Sequence, residues 1–286
     1  MNEQNYFQRS VIQALVELED SYLKSKSSTG RDFFFKVKDT YGQIDYDYDS
    51  AFLLLDEFPE EIYKENFLFN DKEKIILFNL INLIKPKWIN FSNFTGREQT
   101  IEKINVDINS KNILQCLEDA NLLNSNDLDE KSLRDSLSWW TYLIGGIYSK
   151  HDLGRLKSGL DGEFKTYNYE KEKLQQLNIN KEPDIVSGDN SQLGYDVLSW
   201  RIDKNKKLKQ IYIESKNRKK SDTSFFLSRN EYNSCIDLKE DYFLYFWNDD
   251  GWTDSPSIKG YEWFIKNMPE DKTDKVLWTE VKVNLE

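Results

Sequence analysis

Residues 6–23 place apolar side chains at Phe7, Val11, Leu15, Leu18 and Tyr22, the spacing of one helix face. The stripe ends at the polar run KSKSSTGRD, residues 24–32, which reads as a loop. Residues 72–85 and 110–123 repeat the helical spacing, and 132–150 predict a long, largely buried helix through Trp139, Trp140, Leu143 and Ile147. Beyond a helix placed at about 159–177 the period falls to two: Tyr195–Trp200 and Gln210–Ser215 alternate like strands, joined by the polar turn RIDKNKKLK of a hairpin. Ser228-Arg229-Asn230-Glu231 has the form of a capping box opening a helix of about ten residues, and Asp241–Asn248 reads as a third strand. The expected architecture is α/β (α+β): a mainly helical region over 1–150, then a mixed sheet flanked by helices over 151–286.

Composition narrows the chemistry. With 38% hydrophobic and 14% aromatic residues, 286 residues can bury a sizeable core. One histidine, His151, and two cysteines, Cys116 and Cys235, more than a hundred residues apart, exclude a zinc finger, a His-rich metal site or a disulfide framework within the chain. His151 is read as an exposed polar residue without chemistry. Catalysis must use carboxylates, Lys, Tyr, Asn or hydroxyls, and a metal would be hard and oxygen-bound, such as magnesium. Neither GxxxxGK[ST] nor GxGxxG occurs, which removes support for ATPase and Rossmann readings. The acidic, amphipathic N-terminus lacks the marks of a signal peptide, and the most apolar stretch, Ile75–Ile84, is interrupted by Asn79 and Asn82. No membrane span and a cytoplasmic location are expected.

The net charge of −11 is unevenly spread. Residues 1–150 carry 17 Lys/Arg against 25 Asp/Glu, whereas 201–220 carry nine basic side chains against two acidic ones. This stretch, with Lys206, Lys207, Lys209, Arg218, Lys219 and Lys220, is the candidate DNA contact, joined by Arg229 and Asn230. The acidic first half would repel free DNA and suits a protein partner or a second copy. Trp139 and Trp140 are read as core residues and not as a base-stacking platform.

The candidate chemistry lies in IYIESK, residues 211–216. Strand alternation puts Glu214 and Lys216 on one face and Ile213 and Ser215 on the other. If GYDVLSW is the hairpin partner, Asp196 sits beside Glu214, and two crowded carboxylates imply a divalent cation. Such a cation would polarise a phosphodiester, with Lys216 orienting or deprotonating water and stabilising the transition state. The triplet alone is weak, since 50 acidic residues and 31 lysines yield about five [DE]-x-K by chance. Context adds weight: Glu214-x-Lys216 closes an apolar strand behind a helix bearing Glu163.

GLDGE (159–163), GYDVLS (194–199), IYIESK and FFLSRNEY (225–232) resemble the C-terminal domain of the NO VEIN family, an Mrr-like branch of the PD-(D/E)XK nuclease fold. IKPKWI, ILQCLEDANLL, SWWTYL and the closing MPEDKTDKVLWTEVKV extend the likeness to roughly residues 70–286. The resemblance implies a restriction-endonuclease-like sheet, with Asp196, Glu214 and Lys216 as core catalytic residues and Glu163 as accessory carboxylate. Asp196, Glu214 and Glu163 would ligate Mg2+ or Mn2+. It departs from the pattern at Ser215, where an aliphatic is usual, and at Asn217-Arg218. Pro183-Asp184 spells PD about thirty residues before Glu214, leaving Asp184 as a reserve ligand. The implied function is a Mg-dependent DNA endonuclease, with a restriction or antiphage role. The alternative is a catalytically inactive nuclease-fold module binding nucleic acid or a protein within a larger complex.

Overall fold

The computed structural model describes residues 6–25, 46–65, 69–89, 96–106, 110–123, 129–145, 150–188, 192–218, 224–248, 255–269 and 278–284. It divides into two compact units: Met1–Asn93 with Arg97–Gly146, and Phe94–Gly96 with Ile147–Glu286. Among the described residues no helix is long and apolar enough to cross a membrane.

The first unit is built of helices α1 (Arg9–Ser25), α2 (Tyr48–Glu57), α3 (Pro59–Ile62), α4 (Lys72–Ile84), α5 (Gly96–Val106), α6 (Lys111–Asp119) and α7 (Glu130–Gly145). Val11, Leu15 and Leu18 of the α1 stripe are fully buried. Trp139 and Trp140 are fully buried too, and their indole N–H groups donate to the Lys74 carbonyl at 3.0 Å and the Leu122 carbonyl at 2.7 Å. Their polar edges are thus satisfied inside the core, as a buried Trp requires. The helix expected over 132–150 is described over Glu130–Gly145, and residues 146–149 lie outside the described residues. Ile147 and the side chain of His151 lie outside the described residues.

The second unit opens with α8 (Lys150–Gln176), nine residues earlier than the periodicity suggested. It continues with β1 (Asp184–Ile185), β2 (Val197–Ile202), β3 (Leu208–Arg218), β4 (Ser224–Ser228), α9 (Arg229–Leu238), β5 (Tyr242–Asn248), β6 (Ser257–Gly260), α10 (Tyr261–Asn267) and β7 (Glu280–Asn284). The main sheet runs β1-β2-β3-β5-β6, and β4 pairs with β7 in a second, two-stranded sheet. The hairpin forms with Val197 opposite Ile213, and β5 joins β3 in parallel by way of α9, so the sheet is mixed. β1, β4, β6 and β7 have two to five residues, too short for period-two alternation to announce them.

The sheet faces helices on both sides. On one face Phe225, Leu227, Cys235, Tyr242, Leu244, Phe246, Phe264 and Val283 make a core that joins α9, α10 and the small sheet. Each such side chain contributes about 1.5–3 kcal/mol by leaving water. On the other face α8 lies close to β3. A Cβ on Gly162 would fall 3.0 Å from the Asn217 Cβ, 3.1 Å from the Ser215 Oγ and 3.3 Å from the Asn217 backbone nitrogen. Gly162→Val should therefore push the helix off the strand and cost about 1–3 kcal/mol, read as a lower melting temperature; an unchanged melt would disprove this packing role.

Candidate functional site

Asp196 extends β2 by one residue. Its N–H donates to the Ile213 carbonyl at 2.9 Å, and the Ser215 N–H donates back to its Oδ2 at 2.8 Å. The approach to it is pinned on α9 and β5: the Tyr242 hydroxyl donates to the Gly194 carbonyl at 2.9 Å, Ser234 Oγ to the Leu193 carbonyl at 2.7 Å and Asn230 Nδ2 to the Gln192 carbonyl at 2.9 Å. Gly194 takes φ +69°, and a Cβ there would meet Ser234 Oγ at 2.5 Å, so glycine is required twice over.

Glu214 and Lys216 project to the α9 face, side by side with Leu244 and Phe246 of β5. Lys216 Nζ lies 2.6 Å from Glu214 Oε1 and 3.0 Å from Glu231 Oε1 in the first turn of α9. Glu163 belongs to α8, and its Oε2 accepts from Ser187 Oγ at 2.6 Å. The Val186 and Ser187 N–H groups donate to the Asp196 carbonyl at 2.8 and 3.3 Å, so Ser187 ties the helix carboxylate to the strand that carries Asp196. Helix, hairpin and second helix thus bring four carboxylates to one ammonium.

That imbalance governs the protonation states. Burial first, and then the Glu214 charge against the opposing Ser187 hydrogen bond, pushes Glu163 up to about 7. Burial and the neighbouring Glu163 push Asp196 up to about 8. Glu214 is raised well above the usual carboxylate range by burial, Asp196 and Glu231. Burial works against the Lys216 charge, but Glu214, Glu231 and Asp196 outweigh it and hold the ammonium above its ordinary value. The metal-free arrangement thus favours the charged form of Lys216, held between Glu214 and Glu231.

A pH prediction follows. Carboxylates whose folded pKa exceeds the unfolded value leave the native state holding more protons, so stability falls as pH rises from about 4 to about 8. Asp196→Asn should remove part of that slope, on the order of 1–3 kcal/mol between pH 5 and 8. Thermal melts of both proteins across that range, without added metal, test this; parallel curves would show that Asp196 is not strained by its neighbours.

The donor set suits a hard divalent cation, since it is all carboxylate oxygen in negative excess. Asp196 Oδ2 and Glu163 Oε2 are engaged by Ser215 and Ser187, and Glu214 Oε1 by Lys216. Among the described residues no group of three or more Asp, Glu, His or Cys side chains is placed to hold a metal ion together. Magnesium needs no such group, since it is commonly held by one or two carboxylates with water and substrate phosphate. The residues present fit that mode through Asp196 and Glu214.

The remaining candidates are dispersed. Asp184 is exposed on β1, opposite Leu198. Lys209 precedes Glu214 by five residues along β3, about 16 Å, and Lys206 and Lys207 occupy the hairpin turn about 23–26 Å away. The basic run is continuous in sequence, but an extended strand carries its first lysines to the opposite end of the sheet from the carboxylates. Lys209 also pairs with Asp241, which takes Arg201 at 2.8 Å. Arg218 sits at the carboxylate end, opposite Asn248. The Arg229 guanidinium lies over the Trp278 ring at 4.8 Å, and Asn230 is exposed at the start of α9. Lys219 and Lys220 lie outside the described residues.

The two departures at β3 have partners. Ser215 Oγ pairs with Thr166 Oγ1 at 2.9 Å, and Trp247 Nε1 donates to the same Thr166 oxygen at 2.7 Å. Asn217 donates to the Ser158 carbonyl at 3.2 Å. Both face α8, where a polar helix surface replaces the apolar contact an aliphatic would make. Glu231 and Ser187 escaped the sequence reading. In the sequence the capping box is a local explanation that hides the second contact of Glu231, and Ser187 lies in a turn without pattern.

Two clefts lie elsewhere: one of about 760 Å³ in the helical unit, lined by Gln8, Arg9, Gln13, Tyr46, Asn112 and Gln115, and one of about 370 Å³ beside the end of α10 and β7. Neither contains a carboxylate of the cluster. No curated protein and no solved structure matches the chain. The match to a family model is narrower than the likeness traced over 70–286, and it runs from the middle of α8 to β6. Over residues 162–259 the chain matches the family model described as protein NO VEIN, C-terminal.

Proposed function

We propose that the second unit is a magnesium- or manganese-dependent DNA endonuclease that hydrolyses phosphodiester bonds in restriction or antiphage defence. The observation that carries this reading is the meeting of Asp196, Glu214, Glu163 and Lys216 at one end of the hairpin, where carboxyl groups outnumber the single ammonium. A helix with Glu163, a hairpin with Asp196 and Glu214-x-Lys216, a crossover helix and a parallel strand also agree with the restriction-endonuclease-like core that the resemblance implies.

In this reading Asp196 and Glu214 hold the cation, with Glu163 as accessory carboxylate. The cation supplies Lewis-acid polarisation of a phosphodiester oxygen and a lowered pKa for its water. The chain does the rest. The Ser215 N–H fixes the Asp196 carboxylate. The Lys216 ammonium stabilises the negative charge that develops on the phosphoryl oxygens. With backbone phosphates about 3.4 Å apart along each strand, a duplex laid along the hairpin would meet Lys206, Lys207 and Lys209 about five to eight nucleotides from the cut. The acidic first half, 17 basic against 25 acidic residues over 1–150, suits a protein partner or a second copy.

Calorimetric titration with Mg2+ or Mn2+, with plasmid cleavage on the same samples, tests the reading. Cation uptake with cleavage supports it. Uptake without cleavage points to a modified substrate or a missing partner. A folded protein that takes up neither cation is no metal nuclease, and an interaction module built on the same fold replaces it.

A further inference from the structure

The Glu231 carboxylate divides its oxygens between two tasks. Oε2 accepts the Ser228 N–H at 2.9 Å while the Glu231 N–H donates to Ser228 Oγ at 3.3 Å, closing the capping box. Oε1 faces Lys216 Nζ at 3.0 Å. A capping box works as well with neutral Gln as with Glu, so the cap does not account for the charge. The helix start is held in place independently, since the Arg229 N–H donates to the Thr279 carbonyl at 2.8 Å.

The charge matters because of where the ammonium stands. Lys216 lies 2.6 Å from Glu214 Oε1, with the two side chains only 20% and 5% exposed. A divalent cation on Glu214 would compete for that carboxylate and repel the ammonium at short range. An ammonium displaced without a partner in so buried a place carries a heavy desolvation cost. We infer that Glu231 is a positioning residue for Lys216: it receives the ammonium when a cation takes Glu214, and thereby keeps the charge at the reacting phosphate. This rests on the cation reading of the same site.

The test is a double-mutant cycle read by Mn2+ calorimetry on the full chain, with thermal melts alongside. Glu231→Gln keeps the cap and removes the charge. It should melt close to the wild type and bind Mn2+ at least about tenfold more weakly. In a Lys216→Met background, or Lys216→Gln where Met does not fold, the same substitution should change Mn2+ affinity by less than about twofold. Ser228→Ala, which disturbs the cap alone, should lower the melting temperature and leave Mn2+ affinity unchanged. An unaltered affinity in Glu231→Gln overturns the inference, and so does an equal loss in both backgrounds, which would make Glu231 a plain field charge. A wild type that takes up no Mn2+ removes the cation reading and this inference with it, an outcome distinct from either.

Discussion

Glu214→Gln is expected to abolish Mg2+-dependent cleavage, by about a thousandfold or more, while leaving the melting temperature at pH 7–8 unchanged or higher. The side chain keeps its size, so its place beside Leu244 persists and only charge is removed. That charge is a liability to the metal-free fold, because burial, Asp196 and Glu231 all raise the Glu214 pKa. Lys216 loses its closest partner but keeps Glu231 at 3.0 Å, so no ammonium is stranded. A structural ion pair would behave in the opposite way. Breaking a buried pair typically costs 3–5 kcal/mol, roughly ten degrees of melting temperature in a unit of this size, with Mn2+ binding untouched. Calorimetry, plasmid cleavage and a thermal melt on one preparation separate these cases, and the structural outcome would remove Glu214 from the active site.

The second large effect concerns Glu170, two helical turns after Glu163 on the same surface of α8. Glu170 is fully buried. It accepts from Ser199 Oγ at 2.7 Å and the Tyr245 hydroxyl at 2.7 Å, and pairs with Lys173 at 2.8 Å. These partners belong to β2, β5 and α8 itself, so one carboxylate fastens the helix to two strands. Glu170→Ala leaves two buried hydroxyls without an acceptor and opens a cavity, at a cost of about 3–5 kcal/mol. The melting temperature should fall by on the order of 10 °C. Glu163→Gln, seven residues away, should leave the melt within about two degrees and impair cation binding instead. If both substitutions moved stability alike, Glu163 would be a second rivet of the helix and no part of the chemistry.

The contrast between the two glutamates shows how far sequence patterning reaches. Both occupy one helix face, and before the fold is known each is a carboxylate in a polar stretch. GLDGE singled out Glu163 through a resemblance, whereas Glu170 has no flanking motif. Its burial depends on Ser199 and Tyr245, 29 and 75 residues away. Helical spacing cannot register partners that distant. Glu231 is the reverse case, since a sufficient local explanation, the capping box, concealed its contact with Lys216 fifteen residues earlier.

Charge patterning misled in a related way. The basic run 201–220 reads as one patch beside Glu214, yet at about 3.3 Å per residue a strand spreads its members over the length of the sheet.

Short-range order was enough to assign the helical first half, the β2–β3 hairpin, the α9 cap and the same-face placement of Glu214 and Lys216. Each depends on residues within a turn or a strand of one another, where backbone geometry sets the period and side-chain chemistry marks the ends. Long-range packing alone brought Glu163 and Glu231 from opposite faces of the sheet, fixed Asp196 through the Ser215 N–H and separated the hairpin lysines from the carboxylates. Those arrangements depend on how α8 seats at Gly162 and how the Gly194 loop threads onto α9, contacts between segments tens of residues apart that no local period encodes.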